Sequence, residues 1–431
     1  MMRTFMSHPT LSANWSGEYE EKSAEWFELF LDLIVVAACS NVTEKLKEDL
    51  TPYGLVHFVV LTSMYTSSWT LYTSFHARFN EKSLLHYLWL YVWFAGLGGM
   101  VLAGEPSTAF TIGLILIRIA QLLMYTTVYV LLPQSRCTTK VDMVFVVFSV
   151  VTLCTTFVFP EAWTVPLYAG VLVWEGIVRF VAAAQGWLQT KDSIRIPLNI
   201  DHFNERVGCM VMVALGEAVV STIINFKDPS LLTARFFFMM QLGLLVIFTM
   251  AMFYFAIQPP REFHAMRRSV YAGITFSWLH LCLYPTLLVI GVSLKLITDA
   301  VVADERLEST QMWWLFGSLS AALTNMLCIR LAHYGGRHPA PTDPDCVKTI
   351  KYTWWVVAGV APVVPLVLGA GLQGFFGDTV DPIYALLVAA TFNVSFVILE
   401  TAVMNKLVKL GHGKLGGNNE HTPLVKSVES H

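Results

Sequence analysis

The sequence predicts an all-α protein, a polytopic membrane helix bundle of about twelve transmembrane helices that divides into two parallel six-helix halves. Three observations carry that expectation. Of 431 residues 55% are hydrophobic, 13% aromatic and only 14% charged, and the mean hydropathy is +0.57; such a chain cannot cover the surface of a water-soluble globule with polar groups. Apolar runs long enough to cross a ~30 Å hydrocarbon core, roughly 17 to 25 residues each, recur along the whole chain. Lys and Arg fall on alternate connections between those runs, which sets orientation by the positive-inside rule.

The runs lie near 26–42, 53–74, 84–103, 107–131, 141–159, 163–185, 203–225, 232–257, 271–297, 311–332, 350–372 and 382–405. Basic residues gather in the amino-terminal segment (Arg3, Lys22) and in every second connection, as at Arg78 and Lys82, Arg136 and Lys140, Arg261, Arg267 and Arg268. The opposite connections 104–107, 160–162 and 373–381 hold neither Lys nor Arg. Both termini are therefore expected in the cytosol, in a plasma membrane or an endomembrane. A net charge of −3 adds little, because the placement of charge and not its sum decides topology.

Five segments follow from this reading. Residues 1–24 are a polar, cytosolic amino-terminal segment without an apolar core of their own, so the first span acts as its own insertion signal. Residues 25–185 form the first six-helix half, 186–202 a cytosolic linker and 203–405 the second half. The tail 406–431, rich in Gly, Lys, Asn and Ser, is expected to be disordered because it has little apolar area to bury. An offset of 177 residues matches Glu28 with Glu205, Val36 with Val213, Ala37 with Ala214 and Val42 with Val219. That offset equals six spans, which makes the first and seventh runs equivalent helices of parallel repeats.

Function is expected where charge sits inside the apolar runs. The stretch EWFELFLDLIVVAACSNV, 25–42, places Glu28 and Asp32 one turn apart on an apolar helix. A charged group near the centre of a spanning helix costs about 2.5 to 3.5 kcal/mol on insertion scales, so it marks a functional site by default. Asp32, Arg118, Glu175, Arg179, Glu217 and Glu400 lie within the runs, and Glu28, Glu205 and Arg206 lie nearer their ends, giving six acids against three bases. Glu175 and Arg179, spaced i,i+4 with the acid first, suit a neutralising pair on one helix. Arg118 suits Asp32 or Glu217 as counter-ion. The remaining acids then form a surplus, and a buried carboxylate without a cation either takes up a proton or holds one. His57 and His280 are candidate proton carriers, since imidazole titrates near neutral pH.

Other classes find no support in the residues. There is no Walker loop and no zincin motif, the glycines at 96–99 (GLGG) fit close helix packing better than phosphate binding, and seven cysteines contain no CxxC pair. No catalytic residue, metal or cofactor is assigned. The basic REFHAMRR stretch at 261–268 suits anionic lipid headgroups and gives no reason to expect nucleic acid. The expected partners are the lipid bilayer and an ion or small solute, and a homo-oligomer is compatible with the sequence.

Two motifs carry a family resemblance. Glu28-Leu29-Phe30-Leu31-Asp32-Leu33 opens the first run, and His202, Glu205, Arg206 and Gly208 lead into Leu215-Gly216-Glu217 in the seventh. In both, and in the fainter Arg78-Phe79, Tyr254-Phe255 and His280-Leu281, the chain resembles the low temperature requirement A (LtrA) family of membrane proteins over roughly residues 24–405. After Arg-Phe that family carries aspartates where this chain has Asn80, Glu81 and Lys82. The resemblance implies fold and membrane location and names no reaction. The leading expectation is a proton- or cation-linked transporter or channel using Glu28, Asp32, Arg118, Glu175, Arg179, His202, Glu205, Arg206, Glu217 and His280. The alternatives are a structural or sensory protein of membrane adaptation, and a membrane enzyme acting on lipid through His202, Glu205 and His280.

Overall fold

A computed structural model describes residues 5–12, 25–184, 196, 198–223, 233–259, 263–333 and 339–410, with the side chains of 177–184 and 257 outside that description. The predicted linker and tail fall mostly on residues outside it, although the last helix runs on to Lys409. The chain forms two compact units, 1–217 and 218–431.

The first unit holds α1 (Trp26–Glu48), α2 (Pro52–His76), α3 (Leu84–Ala103), α4 (Thr108–Leu131), α5 (Arg136–Thr155), α6 (Thr164–Ala184) and most of α7 (Ile200–Ile223). Starts are set by side-chain caps: Thr51, Ser83 and Ser107 each accept a hydrogen bond from a backbone N–H two or three residues on, satisfying one of the orphan donors of the first turn. Gly104 ends α3 in the left-handed region at φ 65°, where a side chain would be strained and would press on Asn41. α3 and α4 meet at glycines. A Cβ at Gly96 would stand 2.7 Å from the Gly113 carbonyl oxygen, and one at Gly113 2.6 Å from that of Gly96. Close packing does explain part of the GLGG stretch, whereas Gly98 and Gly99 face open space.

α2 is the interior helix of this unit. From Val60 to His76 nearly every side chain is buried, and seven of those buried side chains (Thr62, Ser63, Tyr65, Thr66, Ser68, Tyr72, Thr73) carry a hydroxyl. Several return their proton to the carbonyl four residues back, as Thr66 does to Thr62, Ser68 to Met64 and Thr70 to Thr66 at 2.8 Å each. That leaves the oxygen lone pairs available to neighbours.

A two-residue strand, β1 (Thr10–Leu11), pairs antiparallel with β2 (Phe79–Asn80) in the loop after α2. The Phe5 carbonyl accepts from Leu85 N at 3.2 Å, so the described amino-terminal segment straps the α2–α3 loop.

The second unit holds the end of α7, then α8 (Ala234–Ile257), the short α9 (Ala265–Arg268), α10 (Val270–Val302), α11 (Ser309–His333), α12 (Asp345–Val360), α13 (Val363–Phe376) and α14 (Pro382–Lys409). Strands β3 (Leu307–Glu308) and β4 (Thr379–Val380) tie two loops together. α10 is the interior helix here, buried nearly all round from Leu283 to Val301.

Each of the twelve predicted runs falls on a helix or, for 350–372, on the pair α12 and α13, which bends by 46°. Pro362 accounts for that break, because proline removes a helical N–H and clashes with the preceding turn. Among the described residues nine helices are long and apolar enough to cross a membrane, ten if the bent pair is one span. α2 and α6 are not among them, so the count of twelve is not reached by that criterion. For α2 the physical reason is its hydroxyls, which lower its hydropathy. The fifth run also shifts: α5 covers 136–155 and the chain turns at 156–159.

Candidate functional site

The candidate site lies in the first unit and grows from the start of α1. Glu25 and Glu28 form a reciprocal capping box there, with Glu25 N donating to Glu28 Oε2 at 2.8 Å. The other Glu28 oxygen, Oε1, lies 3.1 Å from His202 Nε2 on α7. One turn further on, Asp32 takes both arms of Arg206: NH1 donates to Oδ2 and NH2 to Oδ1, each at 2.7 Å. Trp69 Nε1 adds a third donor to Oδ1 at 2.9 Å, and the Arg206 guanidinium lies 5.3 Å from the centre of the Trp69 ring. Arg206 NH2 also reaches the Glu28 carbonyl at 3.2 Å. Delocalised, planar and weakly hydrated, guanidinium suits such a bidentate, stacked, buried place.

These contacts share one register. Glu28 with His202 and Asp32 with Arg206 are both 174 residues apart, as is Thr43, whose hydroxyl donates to Glu217 Oε1 at 3.3 Å. A constant offset means that α1 and α7 run parallel and stay in step over 15 residues, about 22 Å at 1.5 Å per residue. Glu205, which the 177-residue offset sets equivalent to Glu28, is exposed.

A second ion pair crosses between α4 and α6. Arg118 Nε donates to Glu175 Oε1 at 2.8 Å and NH2 to Oε2 at 3.1 Å, while NH1 donates to Ser68 Oγ at 2.9 Å and Ser67 Oγ donates to Glu175 Oε2 at 2.6 Å. Arg118 is completely buried. Three consecutive residues of α2, Ser67, Ser68 and Trp69, thus serve both pairs. The hydroxyl lane is the polar filling that lets two charge pairs sit inside an apolar bundle.

Several expectations change at this point. Arg118 is the counter-ion of Glu175 and not of Asp32 or Glu217, because α4 packs beside α6. Asp32 and Glu217 do point inward; Asp32 is held by Arg206 and Trp69, and Glu217 accepts from Thr43. The Arg179 side chain lies outside the described residues, so the predicted Glu175–Arg179 pair has only its acid in view, and that acid is held by Arg118 and Ser67. Glu400 pairs with Arg330 at 2.8 Å in the second unit. The expected surplus of acids therefore shrinks by one, since Arg330 supplies a cation that the tally of six acids against three bases left out.

His280 belongs to the second unit. Its Nδ1 lies 2.8 Å from the Phe276 carbonyl, to which only an N–H can donate, and its Nε2 lies 3.1 Å from Tyr254 OH; both ring nitrogens are thus engaged, by its own helix and by a phenol. His57 stacks on Tyr53 with ring centres 4.2 Å apart and lines a cavity of about 750 Å³ at the carboxyl end of α1, together with Lys45, Asp49, Glu105 and Glu161. Lys45 bonds Glu105 there at 2.7 Å. Just beyond α1, Thr51 donates to Asp49 and holds its carboxyl below the ordinary value.

Trp69, Ser67, Ser68, Thr43 and Asn199 escaped the sequence reading. Trp69, which the sequence offers only as an interface or packing aromatic, is 2% exposed. Asn199 caps α7 by accepting from His202 N at 3.1 Å, and its own N–H donates to the Ala77 carbonyl at 2.8 Å; it thereby fixes His202 relative to the end of α2. The run of hydroxyls at 62–74 was the available signal. No group of three or more His, Cys, Asp or Glu side chains among the described residues could hold a metal ion, and all seven cysteines are free thiols.

A profile of the family described as Bacterial low temperature requirement A protein (LtrA) matches residues 23–403. No curated protein and no solved structure matches the chain.

Proposed function

The chain belongs to the LtrA family and is a multi-pass integral membrane protein, and from that footing we propose that it is a proton-linked transporter or channel whose centre is the carboxylate–imidazole pair of Glu28 and His202. One observation carries the reading. In an apolar helix bundle, an acid and an imidazole lie 3.1 Å apart and buried, next to an aspartate already neutralised by an arginine. Asp32 and Arg206 satisfy each other through two bonds, so they act as a fixed clamp. Glu28 and His202 share a single contact, and imidazole can gain or lose a proton near neutral pH. A proton gained or lost by the pair changes the charge of the α1–α7 contact without opening the clamp. The cavity at the far end of α1 offers space for a small solute, within the usual range for such sites.

The test is flux. Purified full-length protein in liposomes with an entrapped pH-sensitive dye should collapse an imposed proton gradient faster than empty vesicles, and Glu28→Gln or His202→Gln should slow it by about a hundredfold, the low end of the range for a positioned proton-transfer group. Flux equal to empty vesicles over a panel of proton and cation gradients overturns the proposal.

A second reading has its own support. The bidentate pairs Asp32–Arg206 and Arg118–Glu175 have the completeness of packing devices, and a structural or sensory membrane protein would need no more. In that case Glu28→Gln would lower thermal stability and leave every flux at the level of the unsubstituted protein.

A further inference from the structure

The cavity of about 750 Å³ at the carboxyl end of α1 is walled on α2 by Phe58, Val60 and Leu61 and on α6 by Val165, Pro166 and Ala169. Behind that wall the first unit turns polar. Thr62, the next residue of α2, is 2% exposed, as is Tyr65 one turn on, and neither hydroxyl has a hydrogen-bond partner among the described residues. The hydroxyls of Thr66, Ser68 and Thr70, by contrast, donate to their own helix. On α6, Tyr168 is completely buried and shares a 2.7 Å hydrogen bond with Thr111 of α4. Tyr65 and Tyr168 both pack on Phe110, with ring centres 5.7 Å and 5.6 Å away.

Further in, Ser67 and Ser68 hold the Arg118–Glu175 pair, about 10 Å beyond Leu61 at 1.5 Å per residue. One turn past Arg118, Gln121 is completely buried, and neither its amide oxygen nor its amide nitrogen is engaged by a described residue. Trp93 of α3 is also completely buried, with an indole N–H in the same condition. It stands at the level of Gln121. α3 and α4 run antiparallel, with Gly96 against Gly113 and Ile117 and with Trp89 Nε1 donating to Thr127 at 3.3 Å, and Trp93 and Gln121 lie midway between those two contacts. Buried polar atoms are satisfied by the protein or by ordered water, and leaving several dry would cost a large share of a protein's net stability.

We propose that a file of ordered water molecules enters the first unit from the cavity and runs along α2 to the level of Gln121 and Trp93. Thr62 and Tyr65, spaced i,i+3 and therefore on one face of the helix, receive it at the cavity end, and the Gln121 amide with the Trp93 indole N–H holds its inner end. Water suits these groups because a buried water makes about three hydrogen bonds and can both give and accept. A free ion does not suit them. Every unengaged atom named is neutral, and the charges beside the file, Arg118 and Glu175, are filled by each other and by Ser67 and Ser68. The inference goes beyond the proton-linked reading, since the file stands whether or not protons travel along it.

The experiment is X-ray hydroxyl-radical footprinting of the full chain in nanodiscs, read by mass spectrometry, because radicals formed from a bound water oxidise the buried side chain beside it. Tyr254 of the second unit is the reference: it is completely buried, and its hydroxyl is engaged by His280. Tyr65 should be oxidised severalfold faster than Tyr254. Equal rates would mean a dry interior and overturn the proposal. Thermal unfolding is the second arm. In a dry bundle Gln121→Leu would raise the unfolding midpoint by removing a stranded amide, whereas with water on that amide the variant should melt at or below the midpoint of the unsubstituted chain. A raised midpoint overturns the proposal. Footprinting uses the unsubstituted protein, so a variant that fails to fold leaves the decision to Tyr65. Proton flux equal to that of empty vesicles together with fast oxidation of Tyr65 would overturn the transport reading and keep the water file, and flux with slow oxidation of Tyr65 would do the reverse.

Discussion

α2 in the first unit and α10 in the second occupy the same kind of place and are built from opposite materials. Both are buried nearly all round over their inner stretch. Between Val60 and His76 the buried face of α2 is hydroxyl-rich, whereas among the buried positions between Leu283 and Val301 only Tyr284, Ser293 and Thr298 interrupt the apolar, proline and glycine residues of α10. A helix surrounded by neighbours need not be apolar; it must match what its neighbours present. α2 faces a carboxylate and a guanidinium from each of two helix pairs, and its Ser67-Ser68-Trp69 stretch supplies donors and acceptors to both. In the second unit the ion pairs run elsewhere, from Arg330 on α11 to Glu400 on α14 at 2.8 Å and from Lys351 on α12 to Asp343 at 2.7 Å.

The harshest way to break the comparison is to remove one charge beside α2. Arg118→Met should cost about 3 to 5 kcal/mol, because it removes the bidentate cationic partner of the buried Glu175 carboxylate. The double variant with Glu175→Gln should recover a large part of that, since the penalty belongs to the orphaned charge. Thermal unfolding in detergent, followed by tryptophan fluorescence, reads both. If the single variant were as stable as the unsubstituted chain, Glu175 would already be neutral or solvated, and the account of α2 as a charge-matching helix would fail.

How much of this was legible in the sequence depends on whether the cause is local. Helix positions were legible because length and hydropathy are properties of a segment, and all twelve runs land on helices or the bent pair. Glu28 and Asp32 were legible as inward-facing because exposing a short carboxylate to lipid is costly wherever the helix packs. Partners were not, because they depend on which helices lie side by side. Arg118 found Glu175 through the packing of α4 against α6, and Asp32 found Arg206 through the parallel register of α1 and α7. The local i,i+4 rule sees only one helix, and Glu175 is also held by Arg118 from another. Ser67, Ser68 and Trp69 were invisible as site residues for the same reason, since a hydroxyl acquires a role only from the charge beside it.

A milder pair of substitutions isolates that difference. Ser68 and Ser293 are both completely buried, and both donate to the carbonyl four residues back at 2.8 Å. Ser68 also accepts from Arg118 NH1. Ser68→Ala should therefore cost about 1.5 to 3 kcal/mol, the worth of a hydrogen bond to a charged group, while Ser293→Ala should stay within about 0.5 kcal/mol, since its bond lies within one helix that keeps its own ladder. Equal effects in thermal unfolding would mean that the hydroxyls of α2 are helix ornaments like that of α10.

The smallest expected effect concerns Glu81 and is read from its pH dependence. Burial raises its carboxyl pKa above the ordinary value of 4.5, and the Ser83 hydrogen bond offsets part of that. A raised acid binds its proton more tightly in the folded chain than in the unfolded one. Its contribution to stability is then fully present below the unfolded pKa of about 4.3 and is lost as pH rises through the folded value. Glu81→Gln removes this dependence while keeping the size of the side chain. The variant should match the unsubstituted protein in acid and become the more stable of the two as pH climbs through that window, as differences in unfolding midpoint at a series of pH values would show. The opposite trend, with the unsubstituted chain gaining on the variant as pH rises, would mean that Glu81 is ionised in the fold and held by a charged His86. The loop would then enclose a fixed ion pair.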